Sequence, residues 1–458
     1  MLINPYLPLK YYIPDGEPRV FDNKLYIYGS CDLYNGDNYC LGEYNVCYAD
    51  INDLENFKVV KSYTFKDSLI SFEEGGQFQA PDCVKYKDKY YLFYNRMKKM
   101  ECEVAVSNTP IGPFKFYGVI HYKDGKIPND KLFDPAVLID DDRIYLYTGF
   151  CPNKNSRFAH LARKYSQVYE LEEDMLTIKK DATNLIPGPL KALGTSFENH
   201  AFFEASSIRK INGKYYFVYS SENSHDLCYA VSSYPNKDFI YKGILISNCN
   251  IGYNGNQIPE MPYGNTHGSI EYINGNYYVF YHRQTTGKET SRQACAEILK
   301  MDNDGNFMQA EMTTQGLNGK PLNDIFDLNA TCCSYLVSDK ENIKLGVIND
   351  IKNEYPTLRE DINDSNIHFI DNLNNAVVGY KYFNFCDANY IILNIDGKSG
   401  FVNIKNDLNG KVLKTFLITK DKKVYEGNID FIKGVKPLYI EFKDAKGAKF
   451  YNLKTMKK

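Results

Sequence analysis

The 458-residue sequence contains no tryptophan. Any aromatic surface that it offers a ligand is therefore built from its 40 Tyr and 27 Phe. No stretch reaches the ~18 consecutive apolar residues of a membrane-spanning helix, so no membrane partner is expected. The N-terminus, MLINPYLPLKYYIPDGEP, lacks the basic segment and apolar core of a secretory signal, and a cytoplasmic location is expected. The 12 cysteines are irregularly spaced and include no Cys-x-x-Cys pair, which argues against a zinc site. In a cytoplasmic protein they are expected to be reduced and mostly buried. An excess of one charge is also missing. The net charge is −3, and a nucleic-acid partner would call for a basic surplus or stripe. The oligomeric state is left open.

What is present points to β structure. The length implies two domains. Apolar residues at 43% and charged residues at 24% are ordinary for a globular chain, and a 15% aromatic share favours strands. One pattern recurs five times: a polar or acidic residue, a short apolar strand, a tight turn and a Tyr-rich strand. The copies are DGEPRVFDNKLYIYGS from Asp15, APDCVKYKDKYYLFYN from Ala80, DPAVLIDDDRIYLYTG from Asp134, EASSIRKINGKYYFVYS from Glu204 and HGSIEYINGNYYVFYH from His267. Their turns (Asp-Asn, Lys-Asp, Asp-Asp, Asn-Gly, Asn-Gly) have hairpin chemistry. A repeat of about 60 residues holding several short strands fits a four-stranded propeller blade, so residues 1–320 read as a five-bladed β-propeller. Residues 163–176 read as a short helix.

Eleven residues before the aromatic anchors Tyr26, Tyr91, Tyr145, Tyr216 and Tyr278 stand Asp15, Ala80, Asp134, Ala205 and His267, with Glu204 one residue before the fourth. In a propeller the first strand of each blade lines the central channel, so these positions converge at one end of it. An Asp before a strand is often a turn or capping residue. Three acids at one repeat register are harder to explain that way than Asp22, Asp88, Asp124 and Asp140–Asp142, which read as solvated turn residues. Grouped carboxylates suit glycoside hydrolysis. One protonates the leaving oxygen and one activates water, ~6.5–9.5 Å apart in inverting enzymes. A third raises the pKa of the acid.

These five segments together resemble glycoside hydrolase family 43, the five-bladed propeller enzymes of arabinan, xylan and related glycans. The resemblance implies Asp15 as general base, Glu204 as general acid and Asp134 as the residue that tunes the acid. It also implies Arg283 as a substrate contact. No cofactor is required by it; a structural calcium in the channel, approached by His267 through water, is compatible with it. His267 reads equally as a packed core histidine. Many family members have Asp-Pro at the base, whereas Asp15 is followed by Gly16-Glu17-Pro18, which makes Glu17 a rival. Phe78 is a candidate sugar-stacking platform or a core residue.

After residue 320 the repeat stops. Residues 321–458 hold strand-like runs (VVGYKYFNF, ANYIILNID, GFVNIKND, VLKTFLITK, KPLYIEFK) separated by turn signals, which read as a β-sandwich. This part resembles, more loosely, the family 6 type of carbohydrate-binding module, a jelly roll. The expected substrate is a plant-type oligosaccharide, from which terminal pentose or furanose residues are removed by an α-L-arabinofuranosidase or β-xylosidase activity. β-D-galactofuranosidase, a catalytically silent sugar-binding propeller and a phosphorylase are the rival readings.

Overall fold

The computed structural model describes residues 2–99, 101–156, 158–340, 344–346, 355–429 and 432–458. Five antiparallel sheets follow one another along the chain. The first four are four-stranded up-and-down meanders over Glu17–Tyr63, Phe78–Val119, Ala136–Pro187 and Phe202–Ser247; the fifth has three strands, from Ser269 to Leu299. The innermost strands (Glu17–Phe21, Phe78–Tyr86, Ala136–Asp140, Phe202–Ile211 and Ser269–Ile273) pack each against the next, and the last against the first, which makes a closed five-bladed propeller. The inner hairpins turn as their chemistry dictates: Asp22 and Asn23, Lys87, Asp141, Asn212 with Gly213 and Asn274 with Gly275 all have positive φ. All five aromatic anchors are buried.

The ring is closed by the N-terminal segment. Tyr6 donates its N–H to Ala294 O at 3.2 Å, and Asn4 Nδ2 donates to Ala296 O at 3.0 Å, so the chain start lies along the strand Lys288–Leu299 of the last blade. The helix expected over residues 163–176 is absent. Tyr165–Leu171 is a strand between Arg143–Thr148 and Ile178–Pro187. Pairing on both sides overrides the local helical preference. Asp140 also departs from its solvated reading, for it reaches the next blade, where it accepts from Lys210 and Tyr215.

Beyond the propeller lie two six-stranded sheets. Ala376–Phe385, Gly434–Lys443 and Phe401–Lys405 run through the middle of one; Lys449–Met456 and Tyr390–Asp396 run through the other. Their inner faces bury Val378, Leu393, Ile404, Ile440, Phe450 and Leu453, and the same core continues into blades 4 and 5 through Leu227, Tyr229, Val279 and Tyr281. Lys381 binds Glu260 and Glu311 at 2.8 and 2.9 Å, and Thr286 N–H donates to Leu358 O at 2.9 Å. The sandwich is thus fastened to the propeller by core and by ion pairs.

Candidate active site

The register positions Asp15, Ala80, Asp134 and Ala205 share a left-handed backbone, with φ of 58°, 31°, 47° and 66°. For residues with a Cβ this costs roughly 1–3 kcal/mol and persists only where the surroundings impose it. Here a side chain from the preceding blade holds each N–H. Ala80 donates to Ser30 Oγ at 2.9 Å, Asp134 to Asn95 Oδ1 at 3.2 Å and Ala205 to Asp134 Oδ2 at 2.9 Å, while Asp15 completes the circle on His282 Nδ1 of the last blade at 3.4 Å. Register shifts beside Ala80 and Ala205 mark bulges, which re-aim side chains at a strand end. The three acids accordingly meet in one cavity of about 460 Å³, lined also by His267, Arg292, Tyr39 and Cys40.

Charge inside the cavity is unevenly held. Arg292 Nη1 lies 2.8 Å from Asp15 Oδ1, while its Nε and Nη2 bind Asp32 at 2.8 and 2.9 Å, and its guanidinium rests 4.9 Å from the Tyr39 ring centroid. Burial works to raise the Asp15 pKa, but Arg292 leads the opposing interactions, which win and hold it below the usual carboxylate range. Glu204 goes the other way: burial first, then Asp134 and Asp15, lift it well above the ordinary value. Burial and the Asp15 charge lift Asp134 as well. Two buried neighbouring carboxyls of this kind titrate as a pair. Burial pushes His267 down to about 4 and His282 down to about 3, so both imidazoles are neutral near pH 7.

Of the residues singled out in the sequence, Asp15, Asp134, Glu204 and His267 line the cavity. Glu17 does not. It is 2% exposed and accepts from Arg209 Nη1 at 2.6 Å and from Ser207 Oγ at 3.1 Å, deeper in the channel. Arg283 is also displaced from its expected place. It is fully buried and donates to Gln293 Oε1 at 2.9 Å and to Cys333 O at 3.0 Å, on the side facing the sandwich. Successive strand residues face opposite ways, and it is His282 that turns toward Asp15. The arginine in the cavity is Arg292, opposite Gln284 on the next strand. Replacing Arg283 by Met is therefore expected to cost about 2 kcal/mol of stability through its stranded acceptors, with KM unchanged in the folded enzyme. Arg292→Met is expected to impair turnover. Melting curves and steady-state kinetics on both variants check this.

Phe78 belongs to the core. It is wholly buried, stacked against Phe65 at 4.6 Å and Tyr44 at 4.9 Å, with Arg96 at 4.9 Å. The aromatic wall of the cavity consists instead of Phe133, Phe150, Phe158 and Phe203, with Leu161. Phe133 and Phe203 directly precede Asp134 and Glu204, and a Phe beside each acid was the signal available in the sequence. Lys344, Leu345 and Gly346, from the chain after the last blade, complete the rim, with Leu345 N–H donating to Tyr263 O at 2.6 Å.

Around His267 the nearby carboxylates are already engaged. Its Nδ1 faces Asp134 Oδ2 at 3.6 Å, and the channel acids Glu17 and Asp82 are already bound to Arg209 and Arg19. Among the described residues, the grouping of three His, Cys, Asp or Glu ligand atoms within 4.8 Å of one another falls on His200, Asp226 and Cys228 of blade 4, not on His267.

A propeller with three carboxylates of opposed proton affinity in one sugar-sized cavity defines a glycoside hydrolase. The Glycosyl hydrolases family 43 model matches residues 26–307, and the chain belongs to that family. A xylosidase/arabinosidase of Thermoclostridium stercorarium is 36% identical over 462 residues, which span 97% of each chain. The crystal structure of a family 43 β-xylosidase/α-arabinofuranosidase from a compost microbial metagenome, in complex with xylotriose, aligns with 68% of this chain and 97% of its own (TM-score 0.54, 26% identity). A Bacillus subtilis arabinoxylan arabinofuranohydrolase shares the fold over 99% of this chain and 97% of its own, at TM-score 0.52 and 19% identity.

Proposed function

We propose that this hydrolase removes terminal xylose or arabinofuranose residues from plant-type oligosaccharides with inversion, Asp15 acting as base, Glu204 as acid and Asp134 as the group that tunes Glu204. One observation carries the reading: the same cavity keeps Asp15 charged against Arg292 and keeps a proton on the Glu204–Asp134 pair. A charged carboxylate can take a proton from water; a protonated one can give its proton to the leaving oxygen. The names of the relatives support the two sugars. The aromatic wall and the Lys344–Gly346 rim favour a cavity that takes a chain end, which is exo action. A panel of nitrophenyl xylosides, arabinofuranosides and galactofuranosides tests the sugar, and proton NMR of the first-formed product tests inversion. A retained anomer, or a preference for galactofuranose, overturns the corresponding part.

The tuning role has its own signature. Asp134→Asn removes a negative neighbour, so Glu204 gives up its proton at lower pH. The active form needs that proton. The basic limb of the kcat profile is thus expected to move to lower pH, with a slower maximum; an unmoved limb counts against the role.

For the sandwich we propose a supporting part at the pocket rim rather than the independent sugar-binding role that its likeness to family 6 modules implies. It shares a core with blades 4 and 5, and the rim residues Lys344–Gly346 come, in sequence, from between its strands Tyr335–Ser338 and Thr357–Glu360. A cytoplasmic location is likewise proposed, supported by twelve unpaired cysteines, of which only Cys386 is exposed. Thiol titration of denatured, non-reduced protein is expected to find all twelve reactive, and oxidation of most of them in protein drawn anaerobically from its own cells overturns the location.

A further inference from the structure

Beneath the cavity, the channel is lined by the inner strands. Blade 1 contributes Glu17 and Arg19, blade 2 Asp82, blade 4 Ser207 and Arg209, and blade 5 Ser269. Arg19 grips Asp82 with both nitrogens, Nε to Oδ1 at 3.0 Å and Nη2 to Oδ2 at 2.6 Å, and also donates to Val137 O at 3.2 Å. Arg209 is held on three sides: Nη1 to Glu17 Oε1 at 2.6 Å, Nη1 to Ile208 O at 2.8 Å and Nη2 to Pro18 O at 2.6 Å. Ser207 Oγ adds a bond to Glu17 at 3.1 Å and pairs with Ser269 Oγ at 2.6 Å. The acids that could draw a divalent cation into the channel are thus neutralised from within. Arg209 Nε faces a third inner-strand acid, Glu271, whose Oε2 lies 3.7 Å away, so the guanidinium presents only donors where a metal ligand would have to be an acceptor.

The same contacts tie together two strands far apart in sequence. Glu17 and Pro18 follow Asp15 by two and three residues; Arg209 follows Glu204 by five. We infer that the Glu17–Arg209 clamp, backed by Arg19–Asp82, stands where a channel cation would stand, so that the enzyme holds no resident metal, and that it acts as a positioning device fixing the strand of the base against the strand of the acid. The positioning half rests on the roles proposed above for Asp15 and Glu204; the metal half does not. Fixed guanidiniums with bidentate and backbone bonds have little freedom to shift, and a small misplacement of reacting groups is costly: about 1 Å can cost on the order of 10²-fold in rate.

The experiment has two arms. In the first, the full-length enzyme is dialysed against EDTA, its metal content is measured by plasma mass spectrometry, and melting temperature and kcat are compared with and without millimolar calcium chloride. Substoichiometric metal and unchanged values are expected. Stoichiometric calcium in the untreated protein, or a melting temperature or kcat restored by calcium, overturns the inference. In the second arm, Arg209→Met is expected to lower kcat on the order of 10²-fold with KM nearly unchanged and with displaced limbs of the pH profile, and Arg209→Lys is expected to recover part of the loss. Wild-type kcat in Arg209→Met, or a loss confined to melting temperature, overturns it. If Arg209→Met does not fold, Glu17→Gln, which removes the charge but keeps an acceptor for Arg209, serves in its place: a smaller loss of kcat is the expected result, and wild-type kcat or a loss confined to melting temperature overturns it. Full activity of Asp15→Ala and Glu204→Ala would remove the site assignment and leave the first arm standing.

Discussion

Glu204→Ala is expected to lose activity on xylo-oligosaccharides on the order of 10³-fold, and to lose far less on aryl glycosides whose phenol leaves without help. The contrast follows from where the proton goes. A sugar alkoxide is a poor leaving group and needs its proton in the transition state; a nitrophenolate hardly does. Burial, Asp134 and Asp15 all oppose the ionisation of Glu204, which favours its protonated form. A series of aryl xylosides of graded leaving-group pKa measures the effect as a slope. A steep slope in the variant against a shallow one in the wild type is the expected result, and parallel slopes refute the assignment. Kinetics and pH profiles of the same variant should agree: with the acid gone, the basic limb should disappear as well.

Asp15→Ala is expected to impair every substrate alike, again on the order of 10³-fold, because water activation is common to them all. Its lost charge also leaves Asp32 as the carboxylate paired with Arg292. The sign of the pH dependence in the wild type follows from the direction of the Asp15 shift. A base whose pKa is depressed stays charged to low pH, so the acidic limb should lie below the ordinary range for an Asp, and activity should fall only as pH drops through that depressed value. Arg292→Met removes the counter-charge and should move this limb upward. An external nucleophile such as azide, added to Asp15→Ala, checks the geometry: in an inverting site it is expected to occupy the vacated face and yield a product of the opposite anomeric configuration to the substrate. Equal losses in Glu204→Ala and Asp15→Ala on all leaving groups would count against separate roles.

The blades and the three acids could be read from the sequence because a repeat displays its own register. Hairpin turns, tyrosine anchors and polar starts each recur at fixed offsets, and the channel gathers whatever stands at the start. The positions that the sequence misplaced lack this property. Arg283 and Arg292 lie on adjacent strands of a blade whose pairing, Gln284 opposite Arg292, is set by the hairpin between them. A shift of one residue exchanges pocket face for core face. Phe78 sits in the same strand as Ala80, where a bulge breaks the alternation that would have told its side. Glu17 could be separated from Asp15 only by finding its partner, Arg209, 192 residues away. Long-range partners of this sort are set by packing, and a single sequence does not display them.

The strap that closes the ring bears on how the protein comes to exist. Asn4 and Tyr6 are made almost three hundred residues before their partners Ala296 and Ala294. At about 5–20 residues per second, the opening segment waits some tens of seconds with its backbone bonds unmet while four blades form. The propeller then locks only when beginning and end meet, so the paired cavity groups of blades 1 and 5, Asp15 and Arg292, are the last to be brought together. A nascent chain halted before blade 5 would carry a base without its counter-charge, and an enzyme without activity.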